Sequence, residues 1–408
     1  MNLSDVPFNR PDAHTYGYQP RELMKEVGKV PKDIIIGIPK DKNPYEYRVP
    51  LTPQAVELLV ANGLKVIIES NAGTDSNYPD DQYLKAGAIV VANAIEIYKQ
   101  SHIVVKISPP DFSELELMTE KQTLLSTLNI ATRSREYIAS LMSKRITAVG
   151  FEFIKDDKDN YPIVRSMSEI AGSVAITIAA NYLSKSLGGK GVLLGGIVGI
   201  SPAEVVILGA GTTGEYAAKA AMALGAQIKV FDNSISKLHE LQRSLGAPIF
   251  TSVYHPQVME KAMRSADVII GALSLDNSSG WFMISEEMVK TMKPGSVIVD
   301  MSVDNGACFE TSELTNLGKP TFIKHGVIHY CVPNLASTVS RTASIAISNV
   351  LTPILSETGY CGGVFSEIQI NHGVRAGVYI FQGILTNAIV AKKFKLPSQN
   401  IDLLMATF

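Results

Sequence analysis

The chain has 408 residues, with 37 Lys and Arg against 39 Asp and Glu. At roughly 150 residues per domain this length predicts two or three domains, and a net charge of −2 offers no general attraction to nucleic acid or to an anionic membrane. The cysteines, Cys308, Cys331 and Cys361, lack metal-ligand spacing. They are interpreted as buried thiols in a reducing compartment, and no metal site is expected.

The first part of the chain predicts an arm followed by alternating strands and helices. Residues 1–32 show no sustained hydrophobic period and are expected to pack on the surface or on a neighbouring subunit. They contain no secretory signal pattern, so a cytoplasmic location is expected. Strands are then predicted from Asp33 and over 65–69, 103–107 and 146–154, with a helix over 53–62. This alternation is typical of a largely parallel sheet.

The second part continues the alternation. A long alanine-rich helix is predicted after Ser168 as a connection between domains. Residues 191–211 are apolar, but Pro202 and Glu204 interrupt them, so they are interpreted as a glycine-rich loop and no membrane partner is expected. Strands are predicted over 204–208, 228–232, 267–272 and 297–301. From about Ile345 the pattern is helical again, through GVYIFQGILTNAIVAKKF.

The segment VVILGAGTTGEYAAKAAMALGAQIKVFD, residues 205–232, is the most informative motif. A strand-like run leads into Gly209, Gly211 and Gly214, a helical pattern follows, and a second strand ends at Asp232. This arrangement is the dinucleotide-binding fingerprint, in which the glycines allow a tight turn, close approach of a pyrophosphate and close helix packing. An acid at position 232 binds a ribose hydroxyl and repels a 2′-phosphate, which favours NAD over NADP.

Several further segments resemble the alanine dehydrogenase family. They are YEYRVPLTPQAVELLVANGLKVIIESNAG (45–73), SMSEIAG (166–172), KGVLLGGIVGISPAEVVILGAGTTG (190–214), VIVDMSVDNGACFE (297–310) and HYCVPNLAS (329–337). The NAD-binding subunit of nicotinamide nucleotide transhydrogenase is a more distant likeness.

The resemblance implies an α/β fold with two Rossmann-like, doubly wound domains. The NAD-binding domain, 166–344, would be inserted into a discontinuous substrate domain formed by 33–165 and 345–408. It also implies a homo-oligomer, with a hexamer favoured and a dimer possible.

The resemblance also implies roles for single residues. Arg48 matches the arginine that grips the substrate carboxylate, a task for which a planar guanidinium is suited; on spacing alone it would be a surface arginine. Its neighbour Glu46 is expected to be solvated. Asp304 matches the position facing the nicotinamide and the substrate, where a carboxylate can hold or relay a proton. Asp300 competes for that role, but is expected to cap the following turn.

The cofactor contacts implied by the resemblance and the fingerprint lie in both halves of the central domain. Among these contacts, the most specific expectation is a hydrogen bond between the Asn334 amide and the nicotinamide carboxamide. A lone serine or lysine is commonly a surface residue. The full set is Ser168, Gly209, Gly211, Thr213, Gly214, Asp232, Lys237, Leu273, Ser302, Asp304, Asn334 and Leu335.

Two positions depart from the family pattern. Alanine dehydrogenases carry a lysine in a segment like KVKEP and a histidine in a segment like FLHLAA, where this chain has Ser108 in KISPP and Asn129 in TLNIAT. Serine supplies no fixed charge, and asparagine exchanges no proton near neutral pH. Lys106, His329 or Asp304 could take over the proton chemistry, although packing is the simpler interpretation of Lys106 and His329.

Two functions therefore remain open. The first is an NAD-dependent amino-acid dehydrogenase that converts L-alanine, NAD and water to pyruvate, ammonium and NADH, with a small amino acid or 2-oxo acid as substrate. Arg48 and Asp304 support it. The second is a catalytically altered NAD(H)-binding protein, transhydrogenase-like or regulatory. Such a protein needs no acid or base for an imine, so Asn129 is compatible with it. The segment SMSEIAG lacks the RxQ-type loop of transhydrogenases.

Overall fold

The computed structural model describes residues 34–273 and 283–406, so the predicted arm over 1–32 lies outside the described residues. The strands, in chain order, are β1 (Ile35–Ile38), β2 (Lys65–Glu69), β3 (Ile89–Val91), β4 (Ile103–Val105), β5 (Thr123–Ser126), β6 (Thr147–Gly150), β7 (Glu204–Leu208), β8 (Gln227–Phe231), β9 (Phe250–Ser252), β10 (Val268–Gly271), β11 (Val297–Asp300), β12 (Thr321–Lys324), β13 (Val327–Tyr330), β14 (Val378–Phe381) and β15 (Ile384–Leu385).

The helices alternate with these strands. They are α1 (Pro53–Ala61), α2 (Asp80–Lys85), α3 (Ala94–Gln100), α4 (Phe112–Leu117), α5 (Arg135–Ser143), α6 (Pro162–Tyr182), α7 (Thr212–Ala223), α8 (Ile235–Leu245), α9 (Pro256–Ser265), α10 (Glu286–Lys290), α11 (Ser340–Tyr360), α12 (Val364–Ile370), α13 (His372–Gly377), α14 (Ala388–Phe394) and α15 (Ile401–Ala406). The predicted first helix is confirmed, because Pro53 sits in its first turn and Thr52 caps it by accepting from the Ala55 amide.

The first sheet has eight strands in the order β15-β14-β6-β5-β4-β1-β2-β3. Strands β1 to β6 are parallel, and β14 joins β6 in the antiparallel direction. Strands β2 and β3 extend the sheet on one side of β1, and strands β5 and β6 extend it in the opposite direction from β4. The carboxyl ends of β1 and β4 therefore flank a topological switch point, the usual place for a ligand in an open α/β sheet.

The second sheet has seven strands in the order β12-β13-β11-β10-β7-β8-β9, and its switch point lies between β7 and β10. All its pairs are parallel except β12 with β13. The apolar run of β7 is buried along four of its five residues, as expected for a parallel strand covered on both faces. The predicted fold class, with two doubly wound domains, is confirmed.

Two predicted elements need correction. The helical prediction from residue 345 onward is wrong over β14, where Val378 to Phe381 are all buried in the first sheet; a short apolar run fits a buried strand or a buried helix equally well. The predicted strand over 146–154 ends at Gly150 and continues as a 3₁₀ turn, Phe151–Phe153.

Helix α6 packs against α7 and α11 and includes Ser168, which was expected to precede it. Gly172 allows the close contact with α7, because a Cβ there would lie 2.2 Å from the Thr213 carbonyl oxygen. The proposed domain boundaries fall within α6 and α11. Among the described residues, α6 is also the one helix long and apolar enough to cross a membrane, a property that core helices of soluble proteins share.

Cys308, Cys331 and Cys361 form no disulfide bond with one another. Cys308 and Cys331 are buried as expected, but Cys361 is only half-buried at the end of α11. Its thiol lies near the carboxylates of Glu357 and Glu367, with the ligand atoms within 4.8 Å of one another, although Glu357 is exposed.

Candidate active site

A cavity of ≈ 660 Å³ lies where the loops after β1, β4, β5 and β6 of the first sheet meet the loops after β11 and β13 of the second. Loops at the carboxyl ends of parallel strands converge on one edge, which explains why residues distant in sequence meet here. The cavity contains all four residues predicted to be catalytic: Arg48, Ser108, Asn129 and Asp304. We call it the substrate cavity.

Arg48 is bound to Glu46 in a bidentate ion pair. Its Nε and Nη2 atoms each lie 2.7 Å from a carboxylate oxygen of Glu46, and its Nη1 lies 3.3 Å from the sulfur of Met167. Glu46 is only 6% exposed, so the expectation that it is solvated is wrong. Its second partner is the Asn334 amide, which donates to it at 2.8 Å and so links the loop after β13 to the arginine.

Lys106 is held in a second buried ion pair. Its Nζ lies 2.9 and 2.8 Å from the two carboxylate oxygens of Glu114, and both side chains are at most 2% exposed. Asp41 lies 4.0 Å away and accepts from the Ser108 amide at 2.9 Å; burial raises the pKa of Asp41. These bonds support the structural interpretation of Lys106, and they fix the loop that carries Ser108.

Asn129 follows β5 in the left-handed backbone region, with φ 48°. Its amide and that of Leu128 each donate to Glu152 at 2.9 Å. Glu152 lies just after β6 and faces the cavity, where burial raises the pKa of its carboxyl group. The ionisable side chain next to Asn129 in the cavity is therefore the carboxyl group of Glu152.

Asp304 lies in the 3₁₀ turn Val303–Asn305 after β11. Burial raises the pKa of Asp304, and the neighbouring charge of Asp300 acts in the same direction. Asp300 itself is completely buried and accepts from the amides of Ser302 at 3.0 Å and Cys308 at 2.9 Å. Asp300 therefore caps the turn as expected, and Asp304 is the carboxylate that faces the cavity.

A second cavity, of ≈ 400 Å³, lies at the switch point between β7 and β10. We call it the cofactor cavity. Seven of the predicted cofactor residues line it: Ser168, Gly209, Gly211, Thr213, Asp232, Lys237 and Leu273.

The glycines fit a dinucleotide. Gly209 has φ +109°, which a side chain would strain, and a Cβ on Gly214 would lie 1.9 Å from the Gly209 carbonyl oxygen. Gly211 is the N-cap of α7, and a Cβ there would meet no atom within 4 Å. The space beside the helix N-terminus is open to a phosphate group, which its free amides and dipole would attract.

Asp232 lies at the end of β8, only 8% exposed. Its carboxylate oxygens accept from the amides of Ala210 and Ser234, each at 2.8 Å. These two bonds hold the side chain at the wall of the cofactor cavity, and each oxygen keeps a lone pair for a ribose hydroxyl.

A smaller cavity, of ≈ 260 Å³, adjoins both others. It shares Ser168 and Thr213 with the cofactor cavity and Glu152 and Asn334 with the substrate cavity, and Leu335 also lines it. If the adenosine and pyrophosphate portions of NAD occupied the cofactor cavity, a nicotinamide ring in this smaller cavity would lie between them and the substrate.

Three predicted residues, Gly214, Ser302 and His329, do not line these cavities; Gly214 packs against the backbone of Gly209. Ser302 is buried and donates its hydroxyl to the Leu273 carbonyl oxygen. His329 is fully buried, lies 2.8 Å from the Thr311 hydroxyl and stacks on Phe322. Burial lowers the pKa of His329 to about 4. These contacts support packing as the role of this histidine.

The sequence prediction missed Asp41, Arg133 and Glu152, which all face the substrate cavity. The available signal was positional, because Asp41, Glu152 and Arg133 follow the ends of β1, β6 and β5 by three, two and seven residues. The carboxyl ends of parallel strands lie at one edge, so polar residues in these positions are candidates for a common site.

Two Rossmann-like domains, with a dinucleotide cavity at one switch point and a polar cavity beside it, define an NAD-dependent oxidoreductase. Comparison with known proteins gives the family. The sequence model of the alanine dehydrogenase/PNT N-terminal domain matches residues 37–171, and that of the C-terminal domain matches residues 175–388. The chain belongs to the alanine dehydrogenase/PNT family.

Individual relatives agree with this assignment. The alanine dehydrogenase of Methanococcus maripaludis is 38% identical over 89% of this chain and 97% of that protein, and the alanine dehydrogenase of Bacillus subtilis is 36% identical over 88% and 94%. A solved L-alanine dehydrogenase superposes with a TM-score of 0.83 at 34% identity, covering 89% of this chain and 99% of that one. A transhydrogenase from Sinorhizobium meliloti, with a TM-score of 0.72 at 23% identity, shares the fold.

Proposed function

We propose that this chain is an alanine-dehydrogenase-like enzyme that converts L-alanine, NAD and water to pyruvate, ammonium, NADH and a proton. The observation that carries the proposal is the smaller cavity, which shares residues with both the substrate cavity and the cofactor cavity. Arg48 and Asp304 face the substrate cavity, and Asn334 lies on the wall that leads toward the cofactor cavity. This arrangement supports the proposal, because it provides a cation for a substrate carboxylate and a carboxylate for proton transfer in the cavity next to the expected nicotinamide position.

Each of these residues has a distinct task in the proposed reaction. When bound, NAD supplies the hydride acceptor. Asp232 would hold a ribose, and the amides at the start of α7 would hold the pyrophosphate. Arg48 would orient the substrate carboxylate through the N–H groups that Glu46 does not occupy. Asp304, whose pKa is raised by burial, would accept a proton as the amino group becomes an imine and return one during hydrolysis.

A second candidate function is a catalytically altered NAD(H)-binding protein, transhydrogenase-like or regulatory. It is favoured by one observation: Ser108 and Asn129 lie in the substrate cavity, at the positions where the resemblance implies lysine and histidine. Neither side chain supplies a fixed charge or a titrating group near neutral pH. Slow or absent alanine turnover with normal NADH binding would favour this candidate.

We also propose that the protein is a cytoplasmic homo-oligomer, with a hexamer favoured. The loop before β7 supports the oligomer, because Leu193, Ile197, Val198 and Ile200 are all more than half exposed. A contiguous exposed apolar surface is typical of an interaction site. Light scattering coupled to size-exclusion chromatography measures the assembly directly, and a monomer at micromolar concentration would contradict the proposal.

A spectrophotometric screen tests the proposed activity. NADH formation is measured with a panel of amino acids, and NADH oxidation with a panel of 2-oxo acids and ammonium. We expect L-alanine and pyruvate to be the best pair. If no member of either panel changes NADH absorbance while NADH binding is intact, the dehydrogenase function is refuted.

A further inference from the structure

The substrate cavity contains four cationic side chains, and the structure separates one of them from the others. Three are already bound to carboxylates: Lys42 to Asp111 at 3.3 Å, Arg48 to Glu46 at 2.7 Å, and Lys106 to Glu114 at 2.8 Å. The fourth is Arg133. Within residues 34–273 and 283–406, no carboxylate lies within 4.0 Å of its guanidinium group.

The guanidinium of Arg133 is poorly satisfied in the protein alone. Its Nη2 donates to the Thr132 hydroxyl at 2.9 Å, and its Cζ lies 5.2 Å from the ring centre of Tyr137. Its Nε is buried without a hydrogen-bond partner among the described residues. A buried charged donor without a partner costs free energy, and a carboxylate in the cavity that accepts from this guanidinium group would offset that cost.

The rest of the cavity also directs an anion to Arg133. Arg48 already uses its Nε and one Nη2 hydrogen on Glu46, so it has fewer donors to offer a ligand. Ser108 provides no charge. The remaining carboxylates, Asp41, Glu152 and Asp304, all have a pKa raised by burial, and none of them is paired with Arg133.

We propose that Arg133 binds the carboxylate of the substrate, together with the free N–H groups of Arg48. This inference deepens the proposed function and rests on it. Arg133 would supply, from the loop after β5, the fixed positive charge that Ser108 does not supply from the loop after β4. It would therefore be a residue that determines specificity for substrates that carry a carboxylate.

Calorimetry of pyruvate binding to the full-length protein saturated with NADH tests the proposal, without ammonium and so without turnover. Pyruvamide, the neutral analogue, measures the contribution of the carboxylate charge. The variants are Arg133→Gln and Arg133→Lys, with Arg135→Gln as the matched control because Arg135 is exposed two residues further along. Affinity for NADH is measured for each protein.

The expected result is selective. Arg133→Gln should weaken pyruvate binding by at least about tenfold, the effect of one charge-assisted hydrogen bond, and should reduce the preference for pyruvate over pyruvamide by a similar factor. Arg133→Lys should weaken pyruvate binding at least about threefold, because lysine keeps the charge but loses the fork geometry. Arg135→Gln should bind pyruvate as the unmodified protein does, and all variants should bind NADH equally.

Contrary results separate the two proposals. If Arg133→Gln binds pyruvate within twofold of the unmodified protein, the role of Arg133 is overturned, while alanine turnover by the unmodified protein would still support the dehydrogenase function. If Arg133→Gln does not fold, Arg133→Lys decides by the same criterion. If the unmodified NADH complex binds no pyruvate and turns over no amino acid, both proposals are overturned together.

Discussion

Glu46 and Arg48 form a buried, bidentate ion pair within a single loop after β1, with both N–O distances at 2.7 Å. The exposed fractions of their side chains are 3% and 10%. The pair lies in the wall of the substrate cavity, and Asn334, from the loop after β13 of the second sheet, donates to the same carboxylate. A contact that appears local in sequence therefore connects the two domains.

Removing one charge of this pair should destabilise the protein. Glu46→Gln leaves the Arg48 cation buried without a counter-charge, and such a change costs about 3 kcal/mol of the unfolding free energy. Urea unfolding measures it. Asp81→Asn is the control, because Asp81 and Lys85 form an exposed pair that should contribute less than about 1 kcal/mol. Equal, small effects of both changes would show that Glu46 is solvated in solution.

Asp232 should decide between NADH and NADPH. It is held at the cavity wall by the amides of Ala210 and Ser234, and its negative charge would repel a 2′-phosphate. NADH should therefore bind at least about tenfold more tightly than NADPH. Asp232→Asn keeps one acceptor oxygen but removes the charge, so it should narrow this ratio. Fluorescence titration measures both affinities, and Glu240→Gln, an exposed site on α8, is the control. Equal affinities in the unmodified protein would contradict the assignment.

The substitution Asp304→Asn should lower the enzymatic activity without lowering the stability of the fold at neutral pH. Asp304→Asn removes the proposed proton acceptor and should lower alanine turnover by a factor of about 10² to 10⁴, with NADH affinity unchanged. Because burial raises the pKa of Asp304 in the folded state, the folded protein binds more protons than the unfolded chain between the two pKa values. The carboxylate therefore lowers the unfolding free energy as pH rises through that interval.

The stability difference between Asp304→Asn and the unmodified protein should consequently depend on pH. At pH 7 the variant should be at least as stable, and the gain should disappear below the ordinary aspartate pKa of about 3.9. Thermal unfolding at several pH values measures this. A variant that retains full alanine turnover would remove Asp304 from the mechanism, whatever its stability.

The sequence predicted the cofactor cavity better than the substrate cavity, for a physical reason. Gly209, Gly211 and Gly214 act through local geometry over one strand, one turn and one helix, so their spacing is sufficient to recognise them. The burial of Glu46 and the position of Arg133 in the substrate cavity depend on which loops meet in three dimensions, and a linear pattern does not contain that information. Their burial was therefore unpredictable from the local sequence, as was the strand β14, since a short apolar run fits a helix or a strand.

The double change Ser108→Lys with Asn129→His should increase alanine-dependent NADH production by at least about tenfold, the low end of what a positioned acid or base contributes. The surroundings of both positions favour the new side chains. A lysine at position 108 would lie beside Asp41, which already accepts from the backbone amide there at 2.9 Å. Asn129 has φ 48°, a left-handed conformation that histidine adopts more readily than most residues.

Each single change should gain less than the double change, because residues that act as a unit contribute non-additively. Steady-state kinetics with alanine and NAD measure the gain, and NADH affinity serves as the control since the cofactor cavity is untouched. The histidine would also add a group titrating near neutral pH, so the pH dependence of the rate around 6 to 7 should differ from that of the unmodified protein. If the unmodified protein already oxidises alanine at an ordinary enzyme rate of about 10 per second, no such repair is needed. Asp304, Glu152 and Lys106 would then be the groups to mutate, because all three already face the substrate cavity.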